Sequence, residues 1–211
     1  RGFWPGLCVS LKHNSKFASF TLIAKGDFPA ELNIPLPFSL VSNDVANDRL
    51  LVLPGYWFLY NMYALARNVT KYISRDKRTD KSLEIEYDFL APDSVNELFE
   101  ALQLLKEFTA VAWAGKIKKP IADKELLRTG GSLLENKPAE LSKLEILALG
   151  FENSSRKVQL LKVPEAYRLF KELIIFYGTT QLIQFMEQRN IRNWAKLQQA
   201  LPSKVQRTQW K

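Results

Sequence analysis

Cysteine and histidine are nearly missing from this chain of 211 residues, which has one of each, Cys8 and His13. One cysteine permits no internal disulfide, and the pair is too small a set for an ordinary Cys/His zinc site. This scarcity points to a reducing cytoplasm. A lone imidazole also confines any Ser-His-Asp or Cys-His chemistry to His13. No apolar run approaches the roughly 20 residues that cross a bilayer as a helix, so no membrane role is expected. No methionine opens the sequence, and residue 1 falls inside a repeating pattern. The chain therefore reads as a fragment whose natural N-terminal part carried earlier turns, and a signal peptide upstream is left open.

The composition is that of a folded protein. With 46% hydrophobic and 25% charged residues, the chain can bury one good core or two small ones. The formal charge of +8 is uneven, because Arg189, Arg192, Lys196, Lys204, Arg207 and Lys211 crowd the last part of the chain with no acid among them. Trp194 and Trp210 interleave with these cations, a composition that suits a nucleic-acid surface. Yet Arg189, Arg192 and Lys196 also read as the polar side of a helix whose Ile191, Trp194, Leu197 and Leu201 face inward. No recognition motif accompanies them, so nucleic acid is the weakest of the partner readings.

A six-residue register runs through the first 35 residues. Pro5, Leu11, Phe17, Ile23, Pro29 and Pro35 fall six apart, Gly6, Lys12, Ala18, Ala24 and Ala30 follow one place later, and Val9, Ser15, Thr21, Asp27 and Asn33 hold the fifth place. A fixed short period is the mark of a β-solenoid, in which each turn buries its interior against its neighbours. The expected fold is therefore α+β: a short left-handed β-helix remnant and hairpin over residues 1–53, then a mainly α-helical region over residues 54–211. Pro29 and Pro35 cannot donate to a ladder and mark the end of the coil. Strands are predicted at Phe38 to Ser42 and Leu50 to Leu53, around a polar turn. A long helix is predicted from Tyr56 to Arg78, and a half-buried strand from Leu83 to Phe89 with Glu84, Glu86 and Asp88 on its polar face. Ser94 and Glu97 form a capping box for a helix reaching Ala114. Lys116 to Lys137 reads as a connector with at most one short helix, its Gly130-Gly131 as a turn. Further helices are predicted from Pro138 to Leu149, from Pro164 to about Gln188, and from Asn193 to Leu201.

Two constellations could carry chemistry. His13 sits at a hexad place that points away from the coil interior, and its near-neutral intrinsic pKa suits a general base. The competing reading is a structural surface histidine. Tyr56, Tyr60, Tyr63, Arg67, Lys71, Arg75 and Arg78 follow steps of three and four, so phenol edges run into cations along one helical face. Tyr60, Tyr63, Arg67 and Lys71 could hold the phosphate of a nucleotide sugar or an acyl-CoA. The same stripe also reads as aromatics giving way to a solvated basic end, paired with Glu84, Glu86 and Asp88. That acidic trio could alternatively attract a divalent cation, though a salt-bridged face is the plainer reading.

The hexads around Leu7-Cys8-Val9-Ser10-Leu11-Lys12-His13-Asn14-Ser15, the run from Leu53 to Asn68 (LPGYWFLYNMYALARN) and Ile85 to Asp93 (IEYDFLAPD) together resemble an uncharacterised family of large bacterial proteins. In that family a hexapeptide-repeat β-helix precedes a helical C-terminal region, which implies that this chain is the C-terminal portion. A wider resemblance links the hexads to hexapeptide-repeat acyltransferases and the solenoid parts of sugar-nucleotide enzymes. It implies a homo-oligomer, a trimer by analogy, with a catalytic histidine between coils that only His13 matches. Three classes follow: a transferase-like protein using an activated sugar or acyl donor, a non-catalytic oligomerisation or binding module, and a nucleic-acid binder. No cofactor is identified.

Overall fold

The structure, a computed structural model, describes residues 2–201. The chain forms two compact units, residues 1–174 and 175–211. In the first unit, eight short strands come first: β1 (Trp4–Pro5), β2 (Val9–Leu11), β3 (Lys16–Phe17), β4 (Leu22–Ile23), β5 (Gly26–Phe28), β6 (Asn33–Ile34), β7 (Leu40–Asp44) and β8 (Arg49–Leu53). Next come α1 (Tyr56–Tyr60), α2 (Met62–Arg75), α3 (Pro92–Ile117), α4 (Asp123–Asn136), α5 (Pro138–Leu141), β9 (Ile146–Leu147), β10 (Lys157–Leu160) and α6 (Val163–Gln188), which continues into the second unit; α7 (Trp194–Ala200) follows there.

The α+β expectation, a left-handed β-helix remnant and hairpin followed by a mainly helical region, is corrected: the fold is mixed α/β. Six strands form one sheet in the order β1-β4-β7-β8-β10-β9. Its β1/β4, β4/β7 and β8/β10 pairs are parallel, and its β7/β8 and β10/β9 pairs antiparallel. Two further parallel pairs, β2/β5 and β3/β6, make small sheets of their own. A register in the first 35 residues can mark where the chain turns, but it cannot reveal that residues 146–160 will add two strands to β8. Those strands are only two and four residues long, too short for their pattern to stand out from the sequence.

The register positions nevertheless have physical roles. Cys8, Asn14, Phe20 and Phe38 turn the chain with φ of 57°, 67°, 59° and 58°, the left-handed region that side chains other than Asn and Gly rarely enter. Beside these turns, fifth-place hydroxyls bond back to the chain three residues earlier. Ser15 Oγ donates to Lys12 O at 2.7 Å, Thr21 Oγ1 to Ala18 O at 2.8 Å and Ser39 Oγ to Leu36 O at 2.7 Å. Among first-place residues Ile23 is fully buried, Leu11 and Phe17 half-buried and Pro29 exposed, whereas Phe28, Leu32, Ile34, Leu36 and Phe38 all join the core. Helices cover the turns from outside: the indole Nε1 of Trp57 on α1 donates to Phe20 O at 2.6 Å, and Glu97 on α3 accepts from Ser19 N at 2.9 Å. Phe20 stacks on Phe38 at 5.3 Å, Phe38 meets Phe58 edge-on at 5.0 Å, and Phe58 meets Phe89 at 5.6 Å. This aromatic chain ties strands, α1 and the segment just before α3 into one core.

Several elements differ from their sequence-based expectation. The long helix from Tyr56 is two helices, broken at Asn61, whose φ of −148° is not helical. Residues 83–88 pair with no strand among the described residues and are exposed throughout. The N-terminus of α3 is held by Ser94, whose Oγ accepts from Ala91 N at 3.1 Å and donates to Phe89 O at 2.8 Å. Glu97 is absent from that cap because it serves Ser19 instead. The supposed connector holds the fourteen-residue helix α4, with Gly130 and Gly131 inside it rather than at a turn. Only Pro138–Leu141 of the next predicted helix is helical.

In the second unit, Asn190 reverses the chain with φ of 52°, and Asn193 Oδ1 caps α7 by accepting from Lys196 N at 2.9 Å. Ile191 and Leu197 are buried, as the inward side read from the sequence requires, but Trp194 is exposed. Lys204, Arg207, Trp210 and Lys211, the rest of the basic end, lie outside the described residues.

Candidate functional site

His13 lies in the exposed turn between β2 and β3. The neighbouring Ser15 holds that turn, accepting from Leu32 N at 3.1 Å while donating to Lys12. No hydrogen bond or ring contact joins His13 to Tyr60, Tyr63, Arg67 or Lys71. The structure therefore offers a solvated imidazole on a turn that other residues build.

The Tyr/Arg stripe divides at Asn61. Tyr60, on α1, stacks on Tyr56 with ring centroids 5.9 Å apart. Tyr63 and Arg67 meet on α2, the guanidinium 5.7 Å from the ring centroid, and Lys71 follows one turn later. At 100° per residue, Tyr63, Arg67 and Lys71 occupy the side of α2 turned away from buried Leu65 and half-buried Val69 and Tyr72. Tyr60 and Tyr63 are 59% and 73% exposed. Three of the four candidate ligand-binding residues thus share one open helical face, with no wall opposite them.

The more elaborate arrangement is one the sequence reading underestimated: an arm made of α2 and the extended residues 76–88. Arg78 fastens it. Its Nε and Nη2 donate to Asp76 Oδ1 and Oδ2 at 2.9 and 3.0 Å, its Nη1 to Leu83 O at 3.0 Å, and its Nη2 also to the Tyr72 hydroxyl at 3.3 Å. This two-pronged bond is the geometry for which a guanidinium is suited and an ammonium is not. It holds the Asp76 carboxyl at about 2, well below the ordinary carboxylate range, with the Arg78 side-chain bonds the main cause and the Arg78 backbone N–H next. Further along, Tyr87 stacks on Tyr72 at 5.1 Å. Between helix and extended segment lies an open cleft of about 620 Å³, lined by Ile73, Leu83, Ile85 and the acids Glu84, Glu86 and Asp88 among others. The steps of three and four signalled the helix. The Asp76-x-Arg78 spacing that makes the clamp is too short a pattern to stand out beforehand.

The acids do not pair with the cations of α2. Among the described residues Glu84, Glu86 and Asp88 form no ion pair, and neither do Arg67, Lys71 and Arg75; within the trio, Glu86 Oε1 accepts from Asp88 N at 2.9 Å. Among the described residues no group of three or more His, Cys, Asp or Glu side chains is placed to hold a metal ion.

Elsewhere the ion pairs brace the fold. Arg156 Nε donates to Glu152 Oε2 at 2.8 Å and its Nη1 to Asn43 Oδ1 at 3.0 Å, while Arg49 bridges Glu145 and Gln159 across the sheet. Burial pushes the Glu97 carboxyl above its ordinary value, against the lowering effect of the Ser19 N–H it accepts. No helix among the described residues is long and apolar enough to cross a membrane.

A protein of Treponema pallidum (strain Nichols), described only as "Uncharacterized protein", is 40% identical to this chain over 188 residues, 89% of the chain and 25% of the relative. The chain thus spans about a quarter of the length of the curated relative it matches. No protein-family model matches the chain, and no solved structure matches it.

Proposed function

We propose that this chain is a non-catalytic binding module that docks protein through the arm of α1, α2 and residues 76–88. The observation that carries this reading is the arm's construction. A segment without a single ladder bond is held in place by the Arg78 clamp and the Tyr72–Tyr87 stack, while Tyr60, Met62, Tyr63, Ile73, Leu83, Ile85 and Tyr87 stay exposed. Scattered apolar residues on a surface mean little, but Ile73, Leu83, Ile85 and Tyr87 gather around one cleft of the arm, and such a grouping marks an interaction site. The exposed position of His13, which among the described residues has no side-chain hydrogen bond, favours this reading over a transferase, which needs a base held against a substrate. The module is assigned to the cytoplasm, where its exposed Cys8 stays reduced.

A thermal-shift titration against acyl-CoAs and nucleotide sugars tests the reading. The expected result is no saturable rise in melting temperature from either class. A saturable rise that Arg67→Ala or Lys71→Ala abolishes would instead establish a donor site on α2 and restore the transferase reading, with His13→Ala the next variant to assay.

A further inference from the structure

The arm carries two sets of charge that cannot satisfy each other. Arg67 and Lys71 lie on the side of α2 turned from the core, with Arg75 on its flank, whereas Glu84, Glu86 and Asp88 follow the segment that stacks against the opposite side through Tyr72 and Tyr87. Among the described residues neither set has an ion-pair partner. Between them lie exposed apolar side chains and the cleft of about 620 Å³ beside Ile73, Leu83 and Ile85.

Resting on the binding-module reading above, we propose that the arm's partner is a second copy of this chain. The two arms exchange contacts about a two-fold axis, with Tyr63, Arg67 and Lys71 of one copy set against the cleft and the Glu84/Glu86 edge of the other. Charge complementarity selects this occupant. A basic peptide would neutralise the acidic edge and leave the cations bare, and a polyanion would do the reverse. Only a surface carrying both signs satisfies both sets at once, and the same chain is such a surface. Two-fold symmetry requires one patch to complement itself, and an arm with cations on one flank and acids on the other meets that requirement. Tyr63 supplies the anchor: it is 73% exposed, its ring is steadied by Arg67 at 5.7 Å, and the cleft has room for an aromatic side chain. Aromatic anchors flanked by arginine dominate the energetics of many interfaces. The opposed charges give the contact its selectivity and make it salt-sensitive.

Sedimentation-velocity ultracentrifugation of the 211-residue chain tests this, with two charge-reversed variants: Glu84→Lys with Glu86→Lys, and Arg67→Glu with Lys71→Glu. All four positions are exposed, so both variants fold, as circular dichroism and a cooperative melt verify. The unaltered chain is expected to dimerise, more weakly in high salt. Each variant alone should lose at least about tenfold in dimer affinity. An equimolar mixture of the two should recover it, since every reversed edge then faces a reversed stripe. A merely structural role for these residues predicts no such recovery. A monomer at every concentration, a dimer that both reversals leave unchanged, or a mixture that fails to associate would each overturn the proposal. None of these three results touches the binding-module reading, which falls only if a small donor binds.

Discussion

At the scale of single residues, the most informative position is a glycine in a helix interior, where it costs about 1 kcal/mol relative to alanine. A Cβ on Gly130 would lie 1.9 Å from the carbonyl oxygen of Lys106 and 2.6 Å from its carbonyl carbon. The backbones of α3 and α4 therefore touch at this point, and only hydrogen fits between them. One residue on, a Cβ on Gly131 would rest in ordinary contact with the flexible stem of Lys106, at 3.6 Å or more. Adjacent glycines thus have opposite expectations. Gly130→Ala should destabilise the fold by about 2–4 kcal/mol, the upper range for overpacking against backbone, whereas Gly131→Ala should be neutral or stabilising by up to ~1 kcal/mol. Urea denaturation followed by circular dichroism measures both. Equal effects would mean that α3 and α4 do not cross at Gly130. This pair also shows what a sequence conceals: Gly-Gly is one of the dipeptides that mark turns, and nothing local reveals that a helix contact needs a residue without a side chain here.

At the scale of elements, the clamp at the end of α2 has a pH signature. The folded Asp76 carboxyl sits at about 2, below its ordinary 3.8. Its contribution is therefore fully present above the ordinary value and is lost as pH falls toward 2, when Asp76 takes up its proton and lets go of Arg78. The readout is local, since the clamp holds residues 78–88 and not the core. Hydrogen exchange over residues 79–88 should quicken below pH 3.8 relative to the intrinsic rate, and Arg78→Ala should produce the same loosening at neutral pH while returning the Asp76 titration, followed by NMR, toward the ordinary carboxylate range. An Asp76 titration unmoved by Arg78→Ala would remove the guanidinium as its cause. The elements that could be read in advance were those whose burial pattern is one-sided. In α3, Val95, Leu98, Leu102 and Leu105, at steps of three and four, are buried, while Phe99 is exposed. The break at Asn61 was hidden because aromatic residues on both sides continue the helical spacing. The acidic strand was misread because its alternation is genuine in the sequence, Leu83, Ile85 and Tyr87 alternating with acids, but among the described residues no neighbouring strand pairs with the segment to bury one side of it.

At the scale of the whole first unit, the decisive link is the pairing of β8 with β10, which are separated by more than a hundred residues in sequence. Val158 aligns with Leu50 and Leu160 with Val52, and all four side chains are buried. A second link runs from Leu32 to Glu152 as an isolated bridge, and Asn33 N donates to Phe151 O at 2.8 Å. Such pairings are invisible to periodicity, because a four-residue strand gains its identity only from the ladder it joins; this is why the β-to-α division at residue 53 was the natural reading. The sheet gives it a physical cost. A fragment of residues 1–53 would expose the faces of Phe20 and Phe38 that Trp57 and Phe58 cover, and β8 would keep β7 but lose β10 on its other side. A fragment of residues 54–201 would leave β10 and β9 as a two-stranded remnant, which is marginal alone in water. Neither piece should therefore show a cooperative thermal transition when expressed by itself. Mixed, they should regain one together with the near-ultraviolet circular dichroism of the buried Trp57, since the core closes only when the strands before residue 53 meet those after residue 145. A fragment of residues 54–201 that melts cooperatively alone, with Trp57 already in an asymmetric environment, would show instead that the helices carry their own core and that the shared sheet is secondary to it.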